Sequence, residues 1–184
     1  MASTTSYTAQ AVSFAALAAY SHVSAMKPAP DIELEAHEAW ERGEFERAFA
    51  LFRQCADLGE VGCMIDLGYF YDEGVGTQKN KDKAMSWYKR AYRRGDSAAA
   101  SNIAILYRES GRHRLERQWF ERAVALGDGD AEVELAKLYL EGKGARRSTD
   151  KAVALLASAA TSSSITEAGR EEAAALLLEV ENAR

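Results

Sequence analysis

The chain has 184 residues, enough for one domain, with 47% apolar residues and a formal net charge of −5. An acidic balance argues against a general nucleic-acid binder, because phosphate contacts need a basic footprint. No stretch is long and apolar enough to span a bilayer.

Residues 1–30 form a leader that ends at the only two prolines, Pro28 and Pro30. It holds a short apolar run, Ala11 to Ala19, followed by Val23-Ser24-Ala25, which resembles a small-residue cleavage site; residues 1–26 carry no Lys or Arg. A weak secretory signal and an amphipathic helix packed on the first hairpin both fit this leader. Beyond the prolines the chain is rich in Ala, Leu, Glu, Lys and Arg, which favours helix. Helices are predicted over 31–42 and 45–58, then 61–73 and 81–94, then 98–109 and 115–126, then 130–141 and 150–160. A last helix is predicted over about 166–183, with Ser164 and Glu167 at capping-box spacing. Its Ala173, Leu176, Leu177 and Val180 recur on one face, so it is expected to cover the final hairpin.

Four segments share one plan. They open with Leu51-Phe52, Trp87-Tyr88, Trp119-Phe120 and Leu155-Leu156, at offsets of 36, 32 and 36 residues. Four residues after each opening stands a small side chain, Cys55, Ala91, Ala123 or Ala159, and the first three segments then reach Gly59, Gly95 and Gly127. The preceding helices also align: Leu67, Ile103 and Leu135, then Gly68, Ala104 and Ala136, then Tyr71, Tyr107 and Tyr139. Small residues let helices approach and an aromatic fills the remaining gap. A period in this range predicts an all-α stack of about four helical hairpins over 31–163, with 164–184 as a capping helix.

Residues Leu67-Gly68, Tyr71, Gly74-Val75-Gly76, Asp82, Lys83-Ala84, Trp87-Tyr88, Ala91 and Gly95 resemble a Sel-one-like repeat, a branch of the tetratricopeptide-repeat superfamily. The fourth hairpin repeats many of them 68 residues later: Leu135-Ala136, Tyr139, Gly142-Lys143-Gly144, Asp150, Lys151-Ala152 and Ala159. The third hairpin departs from the pattern, since its link, Ser110 to Arg114, is shorter and lacks the Gly-x-Gly turn. The resemblance covers about 130 residues. It implies a right-handed superhelix of antiparallel helix pairs and adaptor or scaffold roles, with no reaction.

Cys55 and Cys63 are the only cysteines. They occupy positions held by Ala91/Ala99 and Ala123/Ala131 in the next two junctions, where small groups face each other. That placement leaves two outcomes open, a bridge or a pair of reduced apolar fillers. The run from Cys55 to Cys63 also resembles the signature of cysteine-rich, exported Sel-one-like proteins, and this resemblance implies a disulfide between adjacent repeats. No second Cys or His pair stands at ligand spacing, so no metal site is expected.

Nothing in the sequence assembles a catalytic constellation or calls for a cofactor. His22, His37 and His113 are scattered, and His37 sits among Glu33, Glu35, Glu38 and Glu41, which reads as a solvated or salt-bridged face. The basic clusters 108–117 and 143–147 read as solvated faces balanced by nearby acids. Neither Gly-x-Gly turn follows a strand or carries a P-loop ending, so both read as turns. The stripe on the remaining face of the first helices holds Asp66, Tyr69, Asn102, Ile105, Glu134 and Lys137. These six are the expected groove residues for a protein or peptide partner, with no expectation about oligomeric state. The leading functional expectation is a non-catalytic interaction module. The alternatives are an exported, disulfide-bearing regulator, such as a neutralising partner of a secreted enzyme or an envelope assembly factor, and a hydrolase. Export is slightly favoured over the cytoplasm.

Overall fold

In the computed structural model residues 27–182 are described, and they contain nine α-helices and no strand. Both readings of the leader, and His22 with them, concern residues outside that range. The helices pair in order: α1 (Ala29–Glu41) with α2 (Phe45–Leu58), α3 (Val61–Glu73) with α4 (Lys81–Tyr92), α5 (Ser97–Glu109) with α6 (His113–Ala125), and α7 (Gly129–Glu141) with α8 (Thr149–Thr161). Each hairpin also packs on the next through α2·α3, α4·α5 and α6·α7, so the four units stack as a right-handed α/α solenoid. Helix α9 (Glu167–Asn182) lies against α8 and α7. Its Ala173 and Val180 are buried and Leu176 and Leu177 are half-buried, so it covers the last hairpin as its apolar face requires.

The sequence period reappears as repeated geometry. Side chains cap the second helices at positions 68 residues apart: Asn80 accepts from the Lys83 backbone N–H, and Ser148 from that of Lys151. Asp96 and Asp128, 32 apart, do the same for Ala99 and Ala131. Lys83 over Tyr71 and Lys151 over Tyr139 both place the ammonium 5.0 Å from the ring centre. Arg90 covers Trp87 at 4.0 Å and Arg122 covers Trp119 at 4.3 Å, shielding each large indole on its water-facing side.

Two close approaches explain glycines in the repeat. At Gly68 an added Cβ would run into the ring of buried Tyr88, so the largest partner in this series faces the smallest residue. At Gly76 (φ +60°) and Gly144 (φ +69°) an added Cβ would meet the Phe45 and His113 carbonyls, where each Gly-x-Gly turn rests on the start of the preceding hairpin's second helix.

The junction residues are buried throughout: Cys55, Ala91, Ala123 and Ala159 from the second helices, and Cys63, Ala99 and Ala131 from the first. Cys55 and Cys63 stand at disulfide distance with Cα atoms 5.8 Å apart. Apart from α2 and α3, the helix bounds differ from the sequence reading by one or two residues at one or both ends, and two of the differences have a visible cause. Helix α4 stops at Tyr92, because Arg94 and Gly95 N–H groups turn back to the Ala91 and Tyr92 carbonyls. The capping box of Ser164 and Glu167 does not form. Thr166 caps α9 instead, its Oγ1 accepting from the Gly169 N–H at 3.0 Å while donating to Asp130 at 2.7 Å.

A candidate partner-binding wall on the first helices

Helices α1, α3, α5 and α7 present successive stripes to one wall of the stack, and side chains join neighbouring stripes directly. At the N-terminal end, His37 of α1 faces Asp66 of α3 at 3.4 Å, and Trp40 of α1 meets Tyr69 of α3 with ring centres 5.6 Å apart. Trp40 is also held edge-on by Phe52 and Phe70 at 6.0 and 5.1 Å, so the core fixes its orientation. Tyr69 and Ile105 are 40% and 39% exposed, a large apolar surface for side chains packed beside a core. Asn102, one turn before Ile105 on α5, is half-buried.

At the C-terminal end the wall is ionic. Arg108 of α5 bonds both Glu116 of α6, at 2.5 Å, and Glu134 of α7. Lys137 bonds Glu134 at 2.5 Å and reaches Glu172 of α9 at 2.8 Å. Glu116 is completely buried, and His113 Nδ1 lies 2.7 Å from its second oxygen. One charged network therefore ties four helices across a shallow recess that also includes Leu138 and Lys143.

These settings change the titration of the groups. Burial raises Asp66 to about 6, with His37 opposing the shift and Glu33 adding to it. Burial also pushes Glu134 upward, but hydrogen bonds from Lys137 and Arg108 outweigh it and hold this carboxyl below its usual range. Lys137 is raised: burial opposes the shift, and Glu134 and Glu172 more than offset that.

Of the six expected residues, the structure joins Glu134 to Lys137 directly and places Asp66 and Tyr69 beside α1. Asn102 and Ile105 occupy the stripe between the two ends. The sequence reading missed His37, Trp40 and Arg108. Trp40 carried a usable signal, a lone large aromatic on a helix otherwise crowded with acids. Arg108 was hidden inside a basic cluster read as solvated. No described helix is long and apolar enough to cross a membrane.

The chain resembles several known proteins. It is 32% identical over 59 residues to the chitin synthase regulator SKT5 of Malassezia restricta, a match spanning 32% of this chain and 4% of that protein. A Sel1 repeat protein from Oxalobacter formigenes superposes with a TM-score of 0.67 at 24% identity, over 83% of this chain and 63% of that one. The protective antigen c5321 of uropathogenic Escherichia coli, which displays an SLR fold, superposes with a TM-score of 0.56 at 30% identity, over 62% of this chain and 25% of that one. This chain thus spans less than two thirds of each of these three proteins. The Sel1 repeat profile matches residues 42–60, 61–96, 117–128 and 129–164; the second and fourth matches each span a whole hairpin, the first spans α2 and the third the end of α6. With most of the folded length accounted for by those four matches, the chain belongs to the Sel1 repeat family.

Proposed function

We propose that this protein is a non-catalytic adaptor that holds a protein or peptide segment along the wall of first helices. Proteins with this repeat are generally interaction scaffolds. The observation that carries the reading here is the pairing of exposed Tyr69 and Ile105 with an interlinked charged network on the same wall. Apolar anchors supply affinity and flanking charges set orientation, which is the division of labour found in binding surfaces. Trp40 beneath Tyr69 pre-orders the anchor, so little side-chain freedom is lost on binding.

The test begins with capture and identification of the partner, followed by measured affinity. Tyr69→Ala combined with Glu134→Lys should weaken binding at least about tenfold while the helical signal is retained. Undiminished affinity in the double variant would remove this wall from consideration.

A second reading is favoured by the cysteine pair. A bridge at the first inter-hairpin junction suits an oxidising compartment, as for an exported regulator that neutralises or assembles another protein. Two free thiols in freshly isolated native material would count against it.

A further inference from the structure

Glu33 and His37 stand one helical turn apart on α1, so they share a face of that helix. That face meets Asp66 of α3. One nitrogen of His37 and one oxygen from each of Glu33 and Asp66 all lie within 4.8 Å of one another. His37 Nε2 and Asp66 Oδ2 are 3.4 Å apart. Ligands about 2.1 Å from a shared ion stand roughly 3.0–3.4 Å from each other, so this pair is already at coordination spacing. The imidazole packs edge-on against buried Phe52 at 5.0 Å and stacks on Trp40 at 6.2 Å, which fixes its plane. Glu33 leans toward α3 through the space at position 62, where a Cβ would run into its Oε1. Among the described residues no Lys or Arg pairs with Glu33 or Asp66, and Glu33 takes part in no hydrogen bond or ion pair. Two carboxylates this close repel each other. Glu35 shows the contrast on the same helix, since Lys27 and Arg47 neutralise it.

We propose that Glu33, His37 and Asp66 form a site for one first-row divalent transition-metal ion, with water completing its shell. One imidazole and two carboxylates favour an ion of intermediate softness over Mg²⁺ or Ca²⁺, which prefer all-oxygen sets. All three side chains are half-buried, which leaves a solvent side for the water ligands. The charge of the ion replaces the repulsion between the two carboxylates with attraction. The sulfurs of Cys55 and Cys63 also lie within 4.8 Å of Glu33, but bonded to each other they offer no thiolate and stay outside the shell. Linear spacing hides the site, because Asp66 comes from the hairpin after the one that carries Glu33 and His37. An ion there ties α1 to α3, and so the first hairpin to the second, beside Trp40 and Tyr69. The site does not depend on the adaptor reading, and its test needs the metal alone.

The full chain, with its cysteines bridged and freed of metal by a chelator that is then removed, should be titrated with Co²⁺ by calorimetry. One equivalent should bind. Glu33→Gln, His37→Ala and Asp66→Asn should each weaken binding by about tenfold or more, while Glu35→Gln, on the same helix but outside the set, should leave it unchanged. An equal concentration of Mg²⁺ should not displace the Co²⁺. Paramagnetic NMR locates the ion in the wild type without any substitution, and bound Co²⁺ should shift the signals of residues 33, 37 and 66 most strongly. Absence of binding to the wild type overturns the proposal. So does an affinity that any one of the three ligand substitutions leaves intact, or that Glu35→Gln weakens equally. Displacement by equimolar Mg²⁺, or shifted signals centred elsewhere in the chain, overturns it as well. Circular dichroism checks each variant, and where a substitution costs the helices the wild-type NMR map decides.

Discussion

Reducing the Cys55–Cys63 pair should destabilise the protein by about 2.5 kcal/mol, a value set by the eight-residue separation and the loop-closure entropy of the unfolded chain. The junction makes this a clean measurement. Both sulfurs are fully buried, and the equivalent positions in the next two junctions are buried alanines, so the backbone there already tolerates small side chains. Oxidised against reduced wild type reads the cross-link alone, because the sulfur volume is unchanged. Reduced wild type against Cys55→Ala/Cys63→Ala then reads the packing of the two sulfurs. Urea unfolding, with chelator present, should be followed by circular dichroism and by fluorescence of Trp40, Trp87 and Trp119, which sit in the first three hairpins. For a chain of this length the cross-link corresponds to roughly 5–10 °C in Tm. Oxidised and reduced forms within about 0.5 kcal/mol of each other, with thiol counts verifying both states, would refute the loop-entropy reasoning.

Gly68→Ala should cost about 1–3 kcal/mol by forcing a methyl group into the Tyr88 ring, and Tyr88→Leu in the same background should recover part of that loss in thermal melts. Gly144→Ala should cost more than Gly111→Ala in parallel denaturation curves. Both sites have positive φ, worth about 1–2 kcal/mol for a side chain, but only at Gly144 does the added atom meet a carbonyl, that of His113. Glu134→Gln should be less stable than wild type at pH 7. The folded carboxyl is held below its ordinary value of 4.5, so its contribution is complete above that value and is lost as pH falls through the lowered one. Denaturation at a series of pH values should therefore show the gap between the two proteins closing below about pH 4.5, and a gap that widens on acidification would contradict the ion-network account.

The architecture was legible because repetition amplifies weak signals. The bounds of α2 and α3 are those expected from glycine stops and apolar period, and the small-residue junctions fall where the aligned alanines put them. The misplaced features depend on partners remote in sequence. Thr166 caps α9 because the Asp130 carboxylate, 36 residues away, holds its hydroxyl and its N–H. The α1 contribution to the wall was obscured by its acidic composition. Glu35 does take the solvated, salt-bridged role expected of such a helix, pairing with Lys27 and Arg47. His37 is likewise salt-bridged as expected, to Asp66 of α3, whereas Glu33 turns toward α3 without an ion pair because Gly62 leaves space there. Composition describes a helix as a whole, whereas rotation about its axis decides which of its acids face water.

The bridge at Cys55 and Cys63 sews together only the first and second hairpins, while every later junction is held by alanine contacts and ion pairs. A stack with a single stitch near one end behaves like a zipper fastened at its base. Fraying would then run from the unstitched side toward the stitch, and the leading hairpins would be the last to lose their shape. The aromatic end of the wall, Trp40 with Tyr69, is thereby carried on the most durable part of the spring, and the ionic end on the most yielding.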